Sequence, residues 1–79
     1  MESVKANPYE VAGRLKKVFA IMPLLIKLGI SSKDLEGATG NEKFWGLIHD
    51  ELKIGGTSPA TRAMCLEKLC QHEKENGVS

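Results

Sequence analysis

Apolar residues in this 79-residue chain recur at intervals of three and four, and residues that punctuate helices divide them into segments. Asn7-Pro8-Tyr9-Glu10 places a cap, a proline at the first helical position and a glutamate three after the cap, which together start a helix. Val11, Leu15, Val18 and Met22 then share one face, widened by Ala12 and Phe19. Pro23 lacks the N–H that a helix interior uses, so a break or kink is predicted there. A short apolar segment, Leu24 to Leu28, follows and stops at Gly29, a natural residue for the left-handed C′ position.

Ser31-Ser32-Lys33-Asp34 starts a second helix, held to about two turns by Gly37 and Gly40, with Leu35 and Ala38 as buried candidates. Asn41 caps an amphipathic helix whose inner face is Phe44, Leu47, Ile48 and Leu52, with Trp45 closing the core at its edge. Gly55-Gly56 ends that segment. The last helix runs from Ser58 to about Lys74, with Ala63, Leu66, Leu69 and Cys70 as its inner arc. No segment alternates with period two between hairpin turns. The expected fold is all-α, a small orthogonal bundle of four to five short helices, with room for a helix-turn-helix. Its core is predicted at Leu15, Phe19, Leu25, Leu28, Leu35, Phe44, Leu47, Ile48, Leu66 and Leu69. One helical domain is expected over 7–75, with frayed ends at 1–6 and 76–79.

Composition narrows the function classes. A chain this short buries only about 60% of its unfolded surface, which leaves little room for a cleft walled on several sides. Eleven basic against ten acidic side chains give a formal charge of +1, weak for a dedicated nucleic-acid binder. The most apolar window, Val18 to Ile30, is interrupted by Pro23 and Lys27 and falls short of the roughly 20 residues that cross a bilayer. Met1-Glu2-Ser3 does not open a secretory signal, so a cytoplasmic location without membrane attachment is expected. Cys65 and Cys70 lie five apart in one helix, poorly placed for a mutual bridge and better read as reduced thiols.

Candidate chemistry is sparse. His49-Asp50-Glu51 are adjacent on a helix and diverge, so no catalytic set forms and no enzyme is expected. Cys65, Cys70, His72 and His49 lack the close ligand pairs of zinc sites, so neither metal nor cofactor is expected; Cys70 reads as core, Cys65 and His72 as surface. Thr57-Ser58-Pro59-Ala60-Thr61-Arg62 is the most informative stretch. Ser58 is a good cap and Pro59 suits the first helical position. The hydroxyls of Thr57, Ser58 and Thr61, with Lys53, Arg62 and Lys68, can address phosphates, and Arg62 can reach a guanine edge.

Leu52 to Thr61, continuing through Leu66-Glu67-Lys68-Leu69, resembles the helix-turn-helix of winged-helix bacterial repressors of the SOS-repressor, GntR and MarR types. The resemblance covers residues 44–69. It departs from the family pattern at Arg62, where an apolar residue is usual, and in having no β-wing. It implies a DNA-binding regulator of prokaryotic or phage type. A homodimer on double-stranded DNA is expected because one short module of this charge binds too weakly alone, and the apolar surplus around Met22–Ile26 is either a dimer surface or part of the core. The rival reading is a protein–protein interaction module, an adaptor or inhibitor such as a phage-encoded modulator, using an apolar patch near Trp45 and Met64. Arg62 decides between them. Facing solvent it favours DNA; tied to a neighbouring helix it favours the protein partner.

Overall fold

The computed structural model describes residues 8–77, and these form four helices. They are α1 (Pro8–Leu28), α2 (Ser32–Gly37), α3 (Glu42–Leu52) and α4 (Pro59–Glu75). The fold is an all-α bundle. The Asn7 cap, the predicted frayed end at 1–6 and residues 78–79 of the one predicted at 76–79 lie outside the described residues.

The helix ends follow local chemistry. The Gly29 N–H donates to Ile26 O at 3.1 Å and the Ile30 N–H to Leu25 O at 3.0 Å, a paired closure that needs Gly29 at φ 72°. The same closure ends α3, but there Lys53, at φ 56°, occupies the left-handed position ahead of Gly55-Gly56. Ser31 and Asp34 form a reciprocal capping box on α2, Asn41 Oδ1 accepts from the Lys43 and Phe44 N–H groups, and Ser58 Oγ accepts from the Thr61 N–H.

Of the break or kink expected from its missing N–H, Pro23 does not produce the break. The helix continues through it to Leu28. Pro23 and Phe19, whose carbonyl that N–H would have met, both lie on the exposed side, where water can serve the carbonyl. Ile21 and Leu25, fully buried on the other side, anchor the helix before and after the proline.

The core consists of Val18, Ile21, Leu25, Leu35, Trp45, Ile48, Cys65 and Leu69. α1 and α4 pack side by side, α2 lies on α4, and α1 also supports α3. By contrast α3 meets α4 through long side chains rather than close backbone approach. The shortest principal extent is 19 Å, about two helix diameters, so the molecule is a two-layer slab.

The core is correct in kind but turned in face. Leu25, Leu35, Ile48 and Leu69 are buried as predicted, and Leu15, Phe44 and Leu66 are half-buried. Phe19, Leu28 and Leu47 stand 65%, 57% and 65% exposed, whereas Trp45 is fully buried at the centre rather than closing an edge. On α4 the inner arc is Thr61, Arg62, Cys65 and Leu69 instead of Ala63, Leu66, Leu69 and Cys70, a rotation of about a quarter turn. A two-layer molecule has one core, and a helix with apolar residues around most of its circumference can turn only one arc into it.

Candidate functional site

The Thr57–Arg62 stretch folds into a closed polar clamp. Arg62, three and seven residues before Cys65 and Leu69, faces inward and is only 8% exposed. Its Nη1 and Nη2 donate to Glu42 Oε2 and Oε1 at 2.8 and 2.9 Å, a two-pronged ion pair to the first turn of α3. Nη1 also donates to the Thr39 carbonyl at 3.0 Å, and Nε donates to Thr57 Oγ1 at 2.9 Å. Four of the roughly five N–H groups a guanidinium offers are thus engaged.

Aromatic contacts form the floor. The guanidinium carbon lies 5.0 Å from the centroid of the Trp45 ring, within cation–π range. Trp45 Nε1 donates to the Ala38 carbonyl at 3.1 Å, and Phe44 meets the indole edge-on at 5.4 Å between centroids. Thr57 Oγ1 also lies 3.0 Å from His49 Nε2, which ties the α3–α4 connection back onto α3. The Arg62 hydrogen bonds hold the Glu42 carboxyl below its ordinary range, and Glu42 in turn raises the guanidinium above its own. Glu42 itself stays largely in water, so the burial cost falls on the arginine alone.

A second polar tie closes the other end of the slab. Glu73 on α4 accepts from the Ser32 N–H at 2.7 Å and the Ser32 Oγ–H at 2.6 Å, and these bonds lower its pKa. Lys17 Nζ donates to the Gly56 carbonyl at 2.9 Å and fixes the start of α4 against α1. Gly56, at φ 156°, holds a conformation that side-chain-bearing residues rarely adopt.

These bonds determine where the residues singled out for DNA come to rest. Arg62 and Thr57 are joined inside the clamp, and Thr61 is buried with its Oγ1 3.0 Å from Ser58 Oγ. Ser58 spends its oxygen on the cap. Lys53 closes α3, while Lys68 is exposed beside Phe19, Met22 and His72. Arg62 therefore does not present itself as a base reader. The α3–α4 connection runs over residues 53–58, longer than the three or four residues of a helix-turn-helix turn.

The alternative patch is displaced too. Trp45 is sealed beneath Arg62, and Met64 is half-buried against the core. Cys65 is fully buried, not superficial, and burial pushes its thiol up to about 11, whereas Cys70 is half-buried. Among the described residues no three His, Cys, Asp or Glu side chains converge as a metal site. No described helix is long and apolar enough to cross a membrane.

The pattern left three apolar regions uncovered, one of them where Leu28 and Leu47 border a common hollow with Leu24. Another is a trough along α4. A hollow of about 460 Å³, walled by Thr39, Gly40, Pro59, Ala63 and Leu66 above the Arg62–Glu42 pair, adjoins a second that shares Ala63 and Leu66 and extends past Cys70 to Lys74. The third is the outside of α1, where Phe19 and Ile26 are 65% and 45% exposed. The sequence pattern marked Phe19, Leu28, Leu47, Ala63, Leu66 and Cys70 among these as core and left the Met22–Ile26 region as dimer surface or core. The available signal was the surplus of apolar positions over what one face of each helix can bury.

Set against protein-family models, curated proteins and solved structures, the chain matches none.

Proposed function

We propose that the protein is a small non-catalytic helical interaction module, an adaptor or inhibitor, that binds another polypeptide in the trough along α4. The observation that carries this reading is the trough itself. Pro59, Ala63, Leu66 and Cys70 follow one another at helical spacing; the Pro59–Leu66 end lies beside the α2–α3 turn, Pro59 and Ala63 are exposed, and Leu66 and Cys70 are half-buried. From Pro59 to Lys74 the trough is about 22 Å long at 1.5 Å per residue, a fit for the apolar face of a short amphipathic helix. The near-neutral charge agrees with a protein partner, and the clamp uses the arginine on which base recognition depends.

A second reading, contact with the phosphates of double-stranded DNA, is favoured by one observation. Arg14 and Lys17 border a hollow with Tyr9, Ser58 and Thr61 at the start of α4, where helix geometry favours anions.

One pair of measurements separates them. Wild-type protein immobilised in an extract of its own cell is expected to retain a protein that Ala63→Arg does not, because the exposed Ala63 position fills the trough without touching the core. A mixed-sequence duplex is expected to stay unbound at low salt. Duplex binding that weakens with salt and is lost in Arg14→Ala/Lys17→Ala overturns the protein-binding reading.

A further inference from the structure

We infer that the outer face of α1 is a self-association seam that seats the same face of a second copy, with the two α1 helices parallel. Leu15, Phe19, Met22 and Ile26 follow at spacings of four, three and four, the repeat by which two helices interlock side chains along a shared line. Phe19 and Ile26 are largely exposed, Leu15 and Met22 are half-buried, and none of the four positions is charged. The face adjoins the α4 trough only at Gln71, which borders both hollows, and none of its four apolar positions lines the trough, so this inference stands independently of the proposed function.

One opposite-charge pair at the seam's edges, Lys27 with Glu75, fits a second copy of this chain in one direction. Lys16 and Lys27 lie on one shoulder, about 60–80° around the helix from Phe19 at 100° per residue. The other shoulder is formed by α4, whose Lys68, Gln71, His72 and Glu75 border the same hollow as Phe19, Met22 and Ile26. Glu75 therefore sits at the Ile26 end of the seam, level with Lys27 on the opposite shoulder. A two-fold axis along α1 brings each shoulder against the other shoulder of the second copy, so Lys27 meets Glu75 of that copy, twice over, at the Ile26 end, while Lys16 faces the end of the shoulder that carries Lys68. A two-fold axis across α1 would instead set the Lys16 and Lys27 shoulder against itself, like charge to like. Among the described residues Lys27 makes no ion pair of its own, and Glu75 is held only by Gln71 at 3.4 Å.

Size sets the strength. From Leu15 to Ile26 the seam is about 16 Å long, short of the roughly 800 Å² per partner of a standard interface even with the α4 shoulder added. The expected dimer is micromolar. The two-layer slab and the net charge of +1 both suit self-association, since small domains commonly gain burial by oligomerising and little repulsion opposes it.

Sedimentation equilibrium of the full chain from about 5 to about 500 µM tests this, a range that brackets a Kd of some tens of micromolar. Wild type is expected to pass from one to two chains across it, and Phe19→Glu to remain a monomer with an unchanged circular-dichroism spectrum. Lys27→Glu or Glu75→Lys alone is expected to raise Kd by about tenfold, the effect of two symmetry-related pairs. The double swap Lys27→Glu/Glu75→Lys is expected to restore it. A wild type that stays monomeric throughout, a folded Phe19→Glu that dimerises normally, or a double swap no better than the singles overturns the inference.

Discussion

At the start of α4 a guanidinium is buried and engaged on all sides, while along the outside of α1 a phenylalanine and an isoleucine stand in water. The difference lies in the partners each region can offer. Arg62 has a carboxylate, a backbone carbonyl, a hydroxyl and an indole face within reach, so its removal from water is offset bond by bond. Phe19 and Ile26 occupy the side of a two-layer slab that no third layer covers. Burial here is decided by the available neighbours, and residue type is only the first guess at it.

The sharpest way to break that comparison is to truncate the two aromatic residues in turn. Trp45→Ala is expected to cost about 3–5 kcal/mol, the range for emptying a fully buried large aromatic position. In so small a domain that can abolish folding, so Trp45→Phe is the companion variant. It keeps much of the packing, loses the hydrogen bond to Ala38, and should be folded but less stable in urea denaturation. If Trp45→Ala proved as mild as truncation of Phe19, the contrast between the regions would collapse.

Next in size is the clamp. Arg62→Lys keeps the charge but loses the fork that grips Glu42 while reaching Thr57 and Thr39, and is expected to cost about 2–3 kcal/mol. A loss below about 0.5 kcal/mol, the scatter of ordinary surface changes, would mean that the clamp contributes little. The acid limb reads the same region without mutation. Glu42 and Glu73 have folded pKa values below 4.5, the first because Arg62 bonds its carboxylate, the second because Ser32 does. A carboxyl lowered on folding contributes its stability in full above its unfolded value and loses it as pH falls through the folded one. Denaturation midpoints should therefore be flat from neutral pH to about 5 and fall below 4.5, with a shallower fall in Glu42→Gln.

How much of this was legible in the sequence depends on range. Capping signals within the described residues were read correctly. Ser58 with Pro59, Asn41, Ser31 with Asp34 and Gly29 each cap or close the helix they flank, because their bonds reach only their own neighbours. The face each helix turns inward depends on partners some 20 to 40 residues away, and there periodicity gave the wrong arc. Leu66 and Ala63 marked one arc of α4 as inner, yet Cys65 and Leu69, with Arg62 bound to Glu42 20 positions earlier, define the arc that packs. Pro23 shows the same limit from the other side. Its local rule predicts a break, and burial of Ile21 and Leu25 overrides it. For the candidate site, Thr57, Ser58, Thr61 and Arg62 were legible as a polar stretch at a helix start, but the bonds that tie Arg62 to Thr57 and to Glu42 across the bundle were not.

A smaller effect separates the two cysteines, which sit on neighbouring arcs of α4. Cys65 is buried with its thiol raised to about 11, so almost no thiolate forms at neutral pH, while Cys70 reaches the trough surface. A colorimetric disulfide reagent should react with one thiol per native chain and with the second only on unfolding. Two equally fast thiols would show that the arc assigned to the core is the wrong one.

The smallest expected change is at Phe19, and it sharpens the comparison from the open side. Phe19→Ser removes an aromatic ring that is 65% exposed, so in dilute solution the unfolding free energy should move by no more than about 0.5 kcal/mol. At high protein concentration the two chains should part. A second copy that binds only the folded state stabilises it by mass action, so the wild-type melting temperature should rise with concentration while that of Phe19→Ser stays level. A concentration-dependent rise that survives in Phe19→Ser would place the association elsewhere on the surface and leave the exposed ring of α1 as an ordinary apolar residue in water.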